Sequence, residues 1–125
     1  IITADTMVFL DNDRLGKPHD EEDALRMLRA LSGRGHTVCT GVSVRRGAQE
    51  ERFAVSTRVF FRPMTDDEIR AYIKTGEPMD KAGAYGVQSR GALFVERIDG
   101  DFFNVMGLPV EQLGLVLARF GVKLL

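Results

Sequence analysis

Residues 36–61 read HTVCTGVSVRRGAQEERFAVSTRVFF, and this stretch decides the fold. His36–Val44 and Arg52–Phe61 are rich in Val, Thr and Phe, residue types that suit a pleated, half-buried surface. The polar Arg45–Glu51 segment separates them, so the pattern predicts a β-hairpin. Cys39 falls within the first run, where a free cysteine behaves as a small buried hydrophobe. It is the only cysteine of the chain, so it has neither an internal disulfide partner nor companions for a metal cluster.

Upstream, Asp20 or His19 opens a helix. Acids at Asp20, Glu21, Glu22 and Asp23 stand where the helix dipole favours negative charge. Ala24, Leu25, Met27, Leu28 and Leu31 supply the apolar stripe, and Ser32-Gly33 the stop. Before that helix, Ile1–Ala4 and Met7–Leu10 read as one strand interrupted or bent at Asp5-Thr6. Asp11-Asn12-Asp13 follows as a turn and Leu15-Gly16-Lys17-Pro18 as a stiff loop, because Pro18 fixes its own backbone and restricts Lys17.

Downstream, Thr65-Asp66-Asp67-Glu68 is a capping box that starts a helix carrying Ile69, Tyr72 and Ile73 inward. Glu77–Gly91 is too irregular for a core element. Ala92–Ile98 reads as a strand, Asp99-Gly100-Asp101 as a turn and Phe102–Val105 as a short extended piece. A last helix runs from about Pro109 to Phe120 and ends at Gly121. Strands mixed with helices predict an α/β or α+β domain with a mixed sheet, a single unit over residues 1–125.

The chain has 125 residues, 44% apolar and 28% charged, with a net charge of −1. That length is enough for one core. The near-neutral balance gives no bulk positive field for nucleic acid or an anionic membrane, so a polyanionic ligand must be held by local cations. No apolar run reaches membrane-spanning length and no signal peptide is visible, so a cytoplasmic setting is expected. The opening Ile1-Ile2-Thr3-Ala4 lacks a polar lead-in. It reads as a chain missing an N-terminal portion.

Asp5 is the most informative carboxylate. Between Ile1-Ile2 and Met7-Val8, a charge would be costly in a core unless bonded or metal-bound. The alternative is a turn or capping Asp at a strand end. Lys17 is a cation on a stiff loop, suited to a phosphate or simply exposed. His19 reads as a solvent-exposed residue near the helix start, and His36 as a strand-edge residue rather than a ligand, since two distant histidines make no metal spacing. Asp80-Lys81-Ala82-Gly83-Ala84-Tyr85-Gly86-Val87-Gln88 gathers an acid, a cation, a phenol and an amide among small residues that let backbone approach a ligand. Asp80 and Lys81 equally suit a surface ion pair. The Gly83-x-x-Gly86 spacing is not a Walker loop. There is no nucleophile elbow, no His-Glu-x-x-His and no zinc spacing, which excludes the familiar acyl-transfer and zinc-protease patterns.

Taken in order, Ala4-Asp5-Thr6, Leu15-Gly16-Lys17-Pro18, Leu31-Ser32-Gly33, Thr40-Gly41-Val42, Gly76-Glu77-Pro78, Asp80–Gly86 with Gln88, and Asn104-Val105-x-Gly107-Leu108-Pro109 closely resemble the Maf family, from one end of the chain to the other. The resemblance implies a two-lobed α/β fold like the inosine-triphosphatase group, a mixed β-sheet with flanking helices and a site in the cleft between lobes. It implies hydrolysis of a nucleoside triphosphate to the monophosphate and pyrophosphate, with a divalent cation such as Mg²⁺ or Mn²⁺. A homodimer is also implied by the resemblance alone.

Carried over residue by residue, Asp5 matches the family's catalytic acid, the proton acceptor for water, and is a metal ligand candidate. Lys17 matches the lysine on the triphosphate, and Asp80 and Lys81 match a polar pair in the cleft. Thr6 and Gln88 match positions tied to base choice. A Gln amide can accept from a pyrimidine N3–H and donate to O4, a pairing that thymine and uracil offer and cytosine does not. The 7-methyl-GTP branch carries Gln after the catalytic Asp and an acid where Gln88 stands, so the chain resembles the dTTP/UTP branch. A nucleotide-sensing regulator of septum formation and 7-methyl-GTP hydrolysis are the alternatives. The family's N-terminal Ser-x-Ser-Pro-Arg-Arg segment has no match here, and Arg45-Arg46, inside the hairpin segment with no Ser-Pro before it, is not its equivalent.

Overall fold

The computed structural model describes residues 1–125. In chain order the elements are β1 (Ile2–Leu10), β2 (Asp13–Leu15), α1 (Glu21–Leu31), β3 (Gly35–Arg46), β4 (Gln49–Phe61), α2 (Asp66–Lys74), β5 (Val95–Asp99), α3 (Phe102–Met106) and α4 (Val110–Arg119). Three short 3₁₀ turns, Glu77–Asp80, Ala82–Ala84 and Arg90–Phe94, fill the segment between α2 and β5.

The expected hairpin is the centre of the molecule, and it is longer than its sequence suggests. Arg45, Arg46 and Gln49–Glu51 continue the ladder, so only Gly47 and Ala48 turn the chain. The strand order is β2-β1-β3-β4-β5. Along β3 the buried His36, Val38, Thr40, Val42 and Val44 alternate with half-buried Thr37, Cys39, Gly41 and Ser43, the period of two that a one-faced sheet requires.

Two hydrophobic clusters sit on that buried face. In the larger, Val8, Leu10, Val38, Val59 and Phe61 of the sheet meet the inward stripes of α1 and α2. In the smaller, Val42 and Val44 meet Leu113, Val116 and Phe120 of α4 and its end. The helix ends follow their sequence signals. Asp20 accepts from the Asp23 amide at 2.8 Å. Thr65 and Glu68 form the reciprocal capping box that opens α2. Arg46 donates to the Phe120 carbonyl at 2.7 Å, satisfying the end of α4.

The α/β class stands, but several local expectations do not. The sheet is antiparallel throughout rather than mixed. Tight turns join β1 to β2 and β3 to β4, and a parallel pair would need a long crossover instead. The first strand is continuous: Asp5 pairs with Gly41 and Thr6 with Thr40 in unbroken register. Asp5 is exposed, so its charge stays hydrated and the strand needs no interruption to accommodate it.

Residues 90–94 form a 3₁₀ turn rather than the start of a strand, and β5 begins only at Val95. Phe102–Met106 is helical, not extended. Asp101 accepts from the Asn104 amide at 3.2 Å, and this cap outweighs the weak helix propensity of the Phe-Phe-Asn-Val run. His36 is not at a strand edge. It lies on the inward face of the central strand and is fully buried.

Candidate functional site

A cleft of about 580 Å³ opens on the helix-covered face of the sheet. Its floor is Thr6, Val8 and Val38 from β1 and β3. One wall is Lys17 with Glu77, Lys81, Ala82 and Tyr85–Ser89, and the other is Val105, Met106 and Gly107. Thr6, Lys17, Lys81 and Gln88, placed far apart in the chain, therefore share one cavity.

The loops that carry the cations are tied together by the backbone. The Gly83 amide donates to the Gly16 carbonyl at 3.1 Å, which sets Lys17 beside the 80–88 segment. Lys81 donates to the Glu77 carbonyl at 3.1 Å and to Asp80 at 2.9 Å. Asp80 is itself largely exposed at the rim. Its carboxyl is held below the usual carboxylate range by the Lys81 hydrogen bond first, and also by the charges of Lys81 and Lys17. Lys17 enters none of the ion pairs, leaving its ammonium available to an anion.

The wall carrying Gln88 is held by a carboxylate the sequence did not flag for chemistry. Glu77 accepts from the Tyr72 hydroxyl, from the Arg90 amide at 3.2 Å and from the Gly91 amide at 3.0 Å. The Tyr72 hydroxyl in turn accepts from the Gly86 amide at 3.1 Å. Partial burial pushes the Glu77 carboxyl upward, but the bonds from Tyr72, Ser89, Gly91 and Arg90 outweigh it and hold it below the ordinary value. Gly91 is required here for space. A Cβ at this position would lie 2.1 Å from the Gly86 carbonyl oxygen.

Behind the cleft, His36 Nε2 and the Tyr85 hydroxyl lie 2.7 Å apart, with Phe61 edge-on to both rings. Burial, with a smaller effect from the Arg58 charge, pulls His36 down to about 4, so the ring is neutral at pH 7. Burial raises the Tyr85 phenol above its ordinary range.

Asp5 stands apart. Successive strand residues point to opposite faces, so Thr6 faces the cleft while Asp5 faces the open side of the sheet. There it lines a shallow recess with Thr3, Gly41, Ser43 and Arg52. The structure thus brings Thr6, Lys17, Lys81 and Gln88 together, puts Asp80 at their rim, and sets Asp5 on the other side of the same strand. β1 pairs with β3 over Ile2–Phe9 and with β2 over Val8–Leu10.

A family model described as Maf-like protein matches residues 1–120. The chain belongs to the Maf-like family. Among curated relatives of this Maf-like chain, the dTTP/UTP pyrophosphatase of Bacillus velezensis is 54% identical over 123 residues, covering 98% of the chain and 65% of the relative. That of Dictyoglomus turgidum is 50% identical over 127 residues, covering all of the chain and 66% of the relative. That of Thermococcus onnurineus is 56% identical over 111 residues, covering 89% of the chain and 60% of the relative. The Maf-like chain spans about two thirds of the length of the relatives it matches.

Of the residues that line the Maf-like cleft, Glu77 and Gly107 fall inside stretches that carry the family resemblance, yet their type alone assigned them no role. Tyr72 read as a core aromatic, and its hydroxyl contact with the Glu77 loop had no sequence signal.

Proposed function

We propose that the protein hydrolyses dTTP and UTP, and modified pyrimidine nucleotides of the same shape, to the monophosphate and pyrophosphate. The observation that carries this reading is the shared cleft: two lysines suited to phosphate beside Thr6 and the free amide of Gln88, suited to a base edge. The names of the relatives support the same substrates. Thr6 and Gln88 favour a pyrimidine over 7-methyl-GTP, because the cleft offers no acid to a purine at position 88.

In the proposed reaction the base lies against Thr6 and Gln88, and Lys17 and Lys81 hold the phosphates. Asp80 orients Lys81. Asp5 accepts the proton of the attacking water. A divalent cation, Mg²⁺ or Mn²⁺, belongs to the proposal and would neutralise the charge that builds on the phosphates. Nowhere do three or more His, Cys, Asp or Glu converge, so the chain offers no complete protein cage. The single exposed carboxylate of Asp5 fits the mode in which Mg²⁺ keeps its waters and shares one carboxylate with substrate phosphates. No helix is long and apolar enough to cross a membrane. A cytoplasmic setting is part of the proposal, in keeping with the one cysteine being free.

The test is pyrophosphate release from dTTP, UTP, CTP and 7-methyl-GTP with Mg²⁺ or Mn²⁺, using protein that carries whatever sequence precedes Ile1 in its gene. Release from dTTP and UTP, abolished by Asp5→Asn, is expected. No release from any substrate, or undiminished release by Asp5→Asn, overturns the reading. Nucleotide binding without turnover would instead fit a sensor of cell division.

A further inference from the structure

The hydrogen-bond chain behind the cleft fixes which way the Thr6 hydroxyl points its proton. Thr40 is fully buried, and its hydroxyl donates to the Asn104 backbone carbonyl at 3.2 Å. A hydroxyl has one proton, so Thr40 has none left for Thr6, whose oxygen lies 3.0 Å away. With Thr40 donating to Asn104, Thr6 donates in that pair and Thr40 accepts. The Thr6 proton is therefore directed into the protein, and only lone pairs are left to face the cleft.

Asn104 is itself held firmly in place. It is fully buried, and its side-chain amide is shared among the Val38 carbonyl at 3.2 Å, the Val55 carbonyl at 2.9 Å and the Thr57 hydroxyl at 3.0 Å. Gly107 lies beside the Thr6 oxygen. A Cβ there would come within 3.7 Å of it, and the backbone φ of 122° already disfavours any residue with a side chain.

We infer that Thr40 and Asn104 are specificity-determining residues that make Thr6 an obligate acceptor, selecting bases that present an N3–H. Uracil and thymine carry that donor and cytosine carries a lone pair in its place, so cytosine meets Thr6 acceptor to acceptor. Gln88 is then free to donate to a base carbonyl. This rests on the proposed pyrimidine triphosphate hydrolysis and deepens it by identifying what reads the base.

The experiment compares kcat/KM for UTP and CTP in the wild type, Thr40→Val and Thr40→Ser, with thermal melts as a check of folding. Val keeps the shape of Thr40 but removes the acceptor, so the Thr6 hydroxyl can turn its proton toward cytosine. The expected result is a UTP-to-CTP preference that falls roughly tenfold in Thr40→Val, mainly through a lower KM for CTP, with Ser restoring it. A structural defect would lower both substrates together and leave the ratio unmoved. An unchanged ratio in a folded, active Thr40→Val overturns the inference while leaving the hydrolase reading intact. Absence of hydrolysis of any pyrimidine triphosphate by the wild type overturns both. Should Thr40→Val fail to fold, Thr6→Ser against Thr6→Val decides: Ser must keep the preference and Val must lose it, and equal ratios in the two overturn the inference.

Discussion

Lowering the pH from 7.5 to 4.5 is expected to cost stability through His36 specifically. The ring is fully buried in the central strand and pulled down to about 4 from a reference value of 6.5, first by burial and then by the Arg58 charge. Between those two values the unfolded chain takes up a proton that the folded chain refuses. The unfolded state binds more protons there, so stability falls as pH falls, beginning near 6.5 and levelling off below about 4. Over the chosen span this amounts to roughly 2–3 kcal/mol, a sizeable share of a typical domain's margin.

Carboxylates contribute acid sensitivity of their own, so the measurement must isolate the imidazole. Urea unfolding of the wild type and His36→Gln at both pH values does this. The Gln amide can still meet the Tyr85 hydroxyl but does not titrate in the range. The variant is expected to lose about 2–3 kcal/mol less than the wild type between pH 7.5 and 4.5, whatever its baseline stability. Equal losses in the two proteins would refute the claim that His36 is held neutral by its surroundings.

Glu77→Gln should loosen the wall that carries Gln88, because an amide cannot accept from Tyr72, Arg90 and Gly91 as the carboxylate does. The expected cost is about 1–2 kcal/mol after allowing for solvent screening, read by urea unfolding and by faster amide exchange at Arg90 and Gly91. Thr65→Ala removes one half of the capping box on α2 and should cost about 1 kcal/mol by the same unfolding assay. Lys17→Ala should raise KM for the triphosphate more than Lys81→Ala, because Lys81 is already engaged by Glu77 and Asp80 while Lys17 is in no ion pair. Steady-state pyrophosphate release checks the order.

The sequence made the hairpin, the helices α1, α2 and α4 and the α2 capping box legible because each has a local cause: alternation, an apolar stripe, or a cap within four residues. It misread what long-range partners decide. Phe102–Met106 reads as extended by residue type, and the structure makes it helical through the Asp101 cap and the seating of Asn104 on β3 and β4. Ala92–Phe94 reads as strand, and the carboxylate of Glu77, distant in sequence, draws the preceding amides into a turn. His36 reads as peripheral because nothing local reveals that Tyr85 arrives to meet it. The cleft residues were legible only as a series resembling a family. Their convergence depends on β1, the β2–α1 loop and the 80–88 segment meeting in space.

Asp5 shows most clearly what the continuous strand changes. In an interrupted strand, Asp5 and Thr6 could turn to the same side and act on one part of a substrate. In a regular strand they cannot, because neighbouring side chains are on opposite faces. Thr6 is fixed to the inner face by its bond to Thr40, so Asp5 is fixed to the outer face by the same register. A division of labour follows for the proposed hydrolysis: base recognition occurs inside the cleft and water activation outside it. A substrate consisting of a base alone would engage Thr6 without reaching Asp5, and a bare triphosphate would do the reverse. The intact nucleoside triphosphate carries both a base for Thr6 and phosphates for Asp5. If this is right, uridine and inorganic triphosphate should each inhibit weakly, while UTP binds far more tightly than either.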